Sequence, residues 1–394
     1  MKTGVHRIAM RMGCLAAFLT ASFFILSAGP RETRAAENFG LPGDVAGHVL
    51  LEETQFDYAQ EIAIGYYEGG WKLYEVRESA CYLQALAEEA VPEDLPEDLI
   101  LLPEEPENTY LAATAAMSLV NAAGALDRIR FSSQTAENWY VPEAAAAMQE
   151  GSLVFAGKYS EPDYELLLGQ DCNLAVESTM ILHTPKVKEK LESLGIPVFV
   201  DRSSYENHPL GRTEWVKVYG ALFGCEEEAE QFFRSQAEKV ESLGQPEMSG
   251  KKIAFFYINP AGIAVVRRTD DYVPEMIRMA GGTYVPENAA GPQDSHTSTI
   301  NMTMEDFYAG AKDADCLIYN ASIDAPLDNI GDLTAKNPLF ADFKAVKEGN
   351  VWCTDQYLYQ AADRIGDLIL EFNAAMTRTD DSGLQFLKKI DFQS

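Results

Sequence analysis

The sequence predicts an α/β protein of two α/β lobes with mainly parallel sheets, joined by one long hinge helix, with a ligand cleft between the lobes. Three observations carry this. From residue 99 onward short apolar strands alternate with helical segments at the spacing of crossover connections. A helix-strand unit occurs twice: Tyr159-Ser160-Glu161-Pro162-Asp163-Tyr164-Glu165 leads to Leu174-Ala175-Val176, and Thr303-Met304-Glu305-Asp306-Phe307 leads to Cys316-Leu317-Ile318-Tyr319. Between them, Gly211 to Leu243 lacks proline and keeps Trp215, Val218, Tyr219, Leu222 and Phe223 at helical spacing, with a bend allowed near Gly224. At 394 residues and 47% hydrophobic content the chain is long and apolar enough for two cores.

The elements follow in order. Lys2, Arg7 and Arg11 precede an apolar run from Met12 to Ala28, and Ala35-Ala36 supply small residues, so residues 1–36 read as an export signal. Its removal takes five basic residues and one acidic one, moving the formal charge from -30 to -34. No cysteine follows Leu26-Ser27-Ala28, and Cys14 lies inside the run, so no lipobox is expected. Retention as a membrane anchor stays open, because the run is close to the ~17-residue minimum for a span.

Residues 37–98 form an N-terminal extension. Glu61-Ile62-Ala63-Ile64-Gly65-Tyr66-Tyr67 and Trp71-Lys72-Leu73-Tyr74-Glu75-Val76 flank a Glu68-Gly69-Gly70 turn and predict a hairpin. Pro92 to Asp98 is too proline-rich for a helix. The N-terminal lobe is expected over 99–210, with strands at Leu99 to Pro103, Ile129 to Phe131, Ser152 to Ala156, Leu174 to Val176 and Pro197 to Val200. Helices are expected at Tyr110 to Gly124 and Pro185 to Leu194. The hinge helix takes 211–243. The C-terminal lobe, 244–394, has strands at Lys252 to Tyr257, Ile263 to Val266, Cys316 to Tyr319 and Val351 to Cys353. Its helices are expected at Tyr272 to Ala280, Met304 to Ala311, Leu339 to Lys347 and Ile365 to Thr377.

A pI near 4.5 disfavours nucleic acid, whose phosphates demand basic patches, and suits an exported, soluble monomer. Cys81, Cys172, Cys225, Cys316 and Cys353 are an odd set without a C-x-x-C pair, which excludes a disulfide scaffold and gives no zinc signature. No G-x-S-x-G, H-E-x-x-H or phosphate loop is present, so an enzyme is not expected. Ligands of parallel sheets sit beyond the carboxyl ends of the strands. Those positions hold Glu104, Asn108, Tyr110, Lys158, Tyr159, Glu177, Ser178, Thr179, Arg202, Ser203, Ser204 and Tyr205 in the first half, and Arg212 begins the hinge helix close to this edge. In the second half they hold Tyr257, Asn259, Arg267, Arg268, Asn320, Ser322, Gln356, Tyr357 and Tyr359. Tyrosine faces and arginine forks suit an anionic, partly aromatic metal chelate. A direct metal site would draw on His183, His208 and His296 with Glu177, Glu206 and Asp294, but these lie scattered across loops without i,i+4 spacing.

The segments Ala112 to Arg130, Pro162 to Val176, Trp215 to Phe233, Met276-Ile277-Arg278-Met279-Ala280-Gly281-Gly282 and Phe343 to Val351 resemble, in order and spacing, one family. It is the helix-hinged substrate-binding proteins of ABC importers that take up ferric siderophores, haem and cobalamin. The resemblance covers Leu99 to Thr377 and departs from the family in the extension Asn38 to Asp98. It implies an extracytoplasmic binding protein without a cofactor of its own, which captures an iron chelate, closes modestly and delivers to an ABC permease dimer. In the family's pattern a glutamate on each lobe docks onto permease arginines, and these map to Glu165 and Glu305; rigidly held carboxylates also suit charge-assisted bonds to arginine. Cobalamin, another metal or oxyanion, or a membrane-anchored sensor of the same fold stay open as alternatives.

Overall fold

The computed structural model describes residues 39–85, 99–244, 250–290, 297–378 and 380–392; the expected export signal over 1–36, the Pro92 to Asp98 segment, Asp294 and His296 lie outside them. The described chain forms two compact units. The first takes residues up to Ala112, Arg128–Ser133 and Ala156–Arg202. The second takes Ala113–Asp127, Gln134–Phe155 and Ser203–Ser394.

Among its described residues the first unit holds two larger sheets and the small antiparallel pair Gly157–Lys158 and Glu161–Pro162. One runs Asp44–Val45, His48–Glu53, Ile62–Tyr67, Lys72–Val76, Cys81–Gln84 and Leu99–Leu102. The expected hairpin is its centre, with Ile62 opposite Val76 and Tyr66 opposite Lys72, and its turn works because Gly69 and Gly70 take φ of 73° and 77°. Alternation buries Tyr67, Trp71, Leu73 and Leu83 on one face. Leu99–Leu102 pairs parallel to Cys81–Gln84, so this apolar strand completes the sheet of the extension.

The second sheet of this unit is parallel, with neighbours Val198–Asp201, Ala175–Ser178, Thr109–Leu111 and Ile129–Ser132. The helix expected from Tyr110 to Gly124 starts only at Ala116. Tyr110 N and Ala112 N donate to Leu174 O and Val176 O at 2.9 and 2.8 Å, and this ladder overrides the helical propensity of the alanines. Tyr82 ties the extension to this sheet: its ring lies 4.7 Å from that of Phe199, and its hydroxyl accepts from Val200 N at 3.1 Å.

In the second unit Lys252–Ile258, Cys316–Tyr319 and Val351–Thr354 run parallel, and Thr283–Val285 joins Lys252–Ile258 in the same sense. Ala264–Arg267, Thr299–Met302 and Leu387–Lys389 are antiparallel additions. The predicted single helix over 211–243 is instead Pro209–Glu214, Val216–Phe223 and Glu226–Ser242. Gly224, at φ 74°, ends the middle piece, every residue of which is buried. The last piece is amphipathic and opens on Glu226, Glu227 and Glu228, where the helix dipole favours acids. A chain buried all round cannot continue straight into one with a solvent face, so it turns back. Gly220 permits the close return, since a Cβ there would lie 2.6 Å from Ala229 Cβ. Lys217 Nζ, 3.1 Å from Glu214 and 3.0 Å from Glu230, links all three pieces.

The helix expected over Leu339 to Lys347 is also broken. Phe343 is extended, with ψ 140°, and separates Pro338–Asp342 from Lys344–Glu348. Its ring enters a cluster, 5.0 Å from Phe340 and 5.8 Å from Phe307, and that burial outweighs one unbroken helix. All five cysteines of the described residues remain thiols; Cys172, Cys316 and Cys353 are buried, and burial pushes the Cys172 thiol up to about 12.

Candidate functional site

Strand Val198–Asp201 leads into a loop whose local chemistry places Arg212. His208 Nδ1 accepts from Leu210 N at 3.2 Å and Pro209 takes the first helical position, which starts the helix Pro209–Glu214. Glu206 is held by Trp215 Nε1 at 2.9 Å. Arg212 donates to Ser204 O at 2.6 Å and Glu206 O at 3.3 Å, and its guanidinium lies 3.7 Å from the ring centroid of Tyr272. No carboxylate among the described residues pairs with it at salt-bridge distance. Burial holds it below the usual arginine value, and the neighbouring Arg267 acts in the same direction.

Arg267 approaches the same ring at 5.7 Å. Its Nη1 is 3.8 Å from Asp271 and donates to Ser298 Oγ at 3.2 Å. Burial lowers its value, but Tyr272, Asp271, Tyr284 and Tyr257 together outweigh that and raise it. Asp271 caps the helix Tyr272–Met279 by accepting from Val273 N at 3.1 Å, and burial raises its carboxyl in spite of Arg267. The sequence-predicted Arg212, Arg267 and Tyr257 therefore converge, and the structure adds Tyr272 and Tyr284. Two guanidinium groups on one tyrosine, with Asp271 in salt-bridge range of Arg267 alone, make a cationic aromatic group fitted to an anion.

Other predicted positions are used differently. Arg268 is taken by Asp270 through two bonds of 2.9 and 2.8 Å. Asn320 is buried and accepts from Ser322 N and Oγ at 3.2 and 2.6 Å, which shapes its own loop. Tyr357 stacks on Phe386 at 5.9 Å, and burial raises its hydroxyl. Tyr110 is a correction: it is fully buried and donates to Gly157 O at 3.0 Å. Arg202 is another, being 5% exposed and paired with Glu61 at 2.9 Å and Glu78 at 3.2 Å. It binds the extension to the parallel sheet because the charge, once buried, needs partners. Ser178 accepts from Met180 N at 3.4 Å, and Asn108 holds a left-handed φ of 52°. Lys158 and Tyr205 are exposed, Thr179 is half-buried, and Tyr159 packs on the core.

Glu177, near the end of strand Ala175–Ser178, is fully buried, and neither carboxylate oxygen has a hydrogen-bond partner among the described residues. Burial pushes its carboxyl well above the usual range. The direct-metal set is not assembled: His208 and Glu206 act as described, and no group of three or more His, Cys, Asp or Glu gathers among the described residues. Glu165 and Glu305 occupy equivalent places, each second in a helix, Tyr164–Gly169 and Met304–Ala311. Asp163 and Thr303 cap these helices by accepting from Leu166 N and Asp306 N at 3.0 and 3.1 Å. Both glutamates are exposed, and a parallel strand follows each helix.

Residues 116–358 match the profile of a family described as periplasmic binding protein. The chain belongs to the periplasmic binding protein family. It is a family of binding proteins, not of enzymes. This binding protein is 27% identical over 245 residues to an uncharacterised lipoprotein of Methanocaldococcus jannaschii, a match covering 59% of this chain and 55% of that one. A second lipoprotein of that organism is 25% identical over 237 residues, 57% and 58% of the two chains. The matched region thus spans little more than half of these curated relatives. Among solved structures, a periplasmic haem-binding protein of Vibrio cholerae aligns with TM-score 0.55 and 18% identity over 68% of this chain and 98% of that one. A periplasmic binding protein of Veillonella parvula aligns with TM-score 0.54 and 16% identity over 82% and 97%. An ABC-type Fe3+-hydroxamate transport system protein of Saccharomonospora viridis gives 0.51 and 18% over 70% and 94%. These likenesses show the fold.

Proposed function

We propose that this binding protein is the extracytoplasmic component of an ABC importer, capturing an anionic iron chelate, a ferric siderophore or haem, and delivering it to a membrane permease dimer. The observation that carries the ligand class is Arg212, stacked on Tyr272 beside Arg267 without a carboxylate partner among the described residues. A desolvated guanidinium in that state gains most from an anionic ligand. The haem and the Fe3+-hydroxamate for which two of the similar structures are named agree with a chelate. Glu165 and Glu305, exposed on matched capped helices, are proposed as the contacts to permease arginines. Two relatives are called lipoproteins, which supports an address at the outer face of the cytoplasmic membrane. No described helix is long and apolar enough to cross a membrane.

The test is tryptophan quenching of the purified protein against haemin, a ferric tris-catecholate, a ferric tris-hydroxamate and cyanocobalamin. Binding of an anionic chelate that Arg212→Met weakens supports the reading. Binding of cyanocobalamin alone would overturn it.

A further inference from the structure

Gln360 is 4% exposed and ends the turn Gln356–Gln360, which follows the parallel strand Val351–Thr354. Both ends of its side-chain amide engage the backbone of one other segment of the second unit. Its Oε1 accepts from Tyr140 N at 2.9 Å and its Nε2 donates to Asn138 O at 2.8 Å. One side chain thus supplies the paired bonds a neighbouring strand would make. Tyr140 returns the contact, its hydroxyl donating to Gln356 Oε1 at 3.1 Å.

The two segments lie 220 residues apart in sequence, yet three hydrogen bonds set their register. What they hold up is aromatic and exposed. Tyr359, flanked by the buried Leu358 and Gln360, is 61% exposed, and Tyr140 is 39% exposed. A scattered exposed aromatic needs no explanation. These two differ because the part-buried amide bonds of Gln360 fix the backbone of Tyr140 and of the residue next to Tyr359, just beyond the carboxyl end of a parallel strand, where ligands of such sheets bind.

We infer that Gln360 is a positioning residue which presents Tyr140 and Tyr359 to a flat aromatic part of the ligand, a catecholate ring or a porphyrin. The inference rests on the substrate-binding reading and adds a ligand feature that the arginines do not specify. Tyrosine offers a rigid face for stacking and loses little side-chain entropy on binding.

Wild type, Gln360→Ala, Gln360→Glu and Tyr359→Ala are titrated with a ferric tris-catecholate, haemin and a ferric tris-hydroxamate, and amide exchange at Tyr140 is followed without ligand. Gln360→Ala and Tyr359→Ala are expected to lose about tenfold in affinity for an aromatic chelate and under about twofold for the hydroxamate. Gln360→Glu, which keeps the acceptor for Tyr140 N, recovers part of the loss. Tyr140 loses exchange protection in Gln360→Ala and keeps it in Tyr359→Ala. If Gln360→Ala does not fold, Gln360→Met removes both bonds at similar volume. Equal losses for both chelate classes, or no loss, would overturn the inference. Binding of the hydroxamate alone by the wild type overturns it too and leaves the proposed function standing, whereas failure of all three chelates to bind brings down both.

Discussion

Two arginines that look alike in sequence, Arg202 and Arg212, part company in the structure. Arg202 ends the last strand of the first unit and is matched by Glu61 and Glu78. Arg212 lies ten residues later in the second unit, donates only to backbone carbonyls, and rests on Tyr272. One follows a strand and the other sits in the helix Pro209–Glu214, and their partners set them further apart. A buried charge bonded to carboxylates is finished, while a half-buried one on an aromatic face with no carboxylate at salt-bridge distance among the described residues still gains from an anion.

The largest effect should come from removing the matched arginine. Arg202→Ala removes the cation that Glu61 and Glu78 share and is expected to cost about 3–5 kcal/mol in urea unfolding. A loss below about 1 kcal/mol would erase the contrast with Arg212. Next, Arg212→Met should weaken an anionic chelate by roughly 10- to 100-fold, from the ~1.5–3 kcal/mol of a charge-assisted bond, with the melting temperature moved far less than by Arg202→Ala. An unchanged Kd would place Arg212 with Arg202 as a purely structural charge.

The orphaned acids sharpen the comparison in a different way. Burial raises Glu177, so its favourable contribution is complete below the unfolded carboxyl range and is lost as pH rises through the folded value. Glu177→Gln should match wild-type stability near pH 4 and exceed it by about 1–3 kcal/mol at neutral pH and above. The second unit has its own case in Asp363, whose carboxyl is buried beside Ser118 and raised to about 7. Its contribution is lost between the ordinary aspartate range and about 7, so Asp363→Asn should pull ahead of wild type across that window and stay level above it. Parallel stability curves for wild type and either variant would refute the assignment. The smallest effect on the isolated protein belongs to Glu165→Ala with Glu305→Ala. Exposed first-turn acids contribute about 0.3–1 kcal/mol each, so folding and chelate binding should hold while uptake by cells falls sharply. If uptake persists, the docking proposal fails.

Much of the fold was legible because it depends on short-range pattern. The hairpin at Glu68-Gly69-Gly70, the strands Cys316–Tyr319 and Val351–Thr354, and the capped helices carrying Glu165 and Glu305 stand where alternation, glycine and cap residues put them. The breaks at Gly224 and Phe343, and the strand hidden in the alanine-rich segment at Thr109–Leu111, were not legible. Each is decided by a partner far away: Ala229 against Gly220, the ring cluster around Phe343, the ladder to Ala175 and Val176. The site divides in the same manner. Arg267 and Tyr257 could be nominated from strand ends and Arg212 from the start of the expected hinge helix, but Tyr272 looked like an ordinary helix start, and Gln360 and Tyr140 carried no signal at all.

By itself, then, the sequence determined the class of fold, the repeated helix-strand unit and a short roll of strand-end polar groups, because periodicity, caps and turns act over a few residues. Only the tertiary structure decided which of those groups were already satisfied. Whether a buried guanidinium meets a carboxylate, as Arg202 does, or a tyrosine face, as Arg212 does, depends on segments brought together across the chain, and a local pattern holds no record of them.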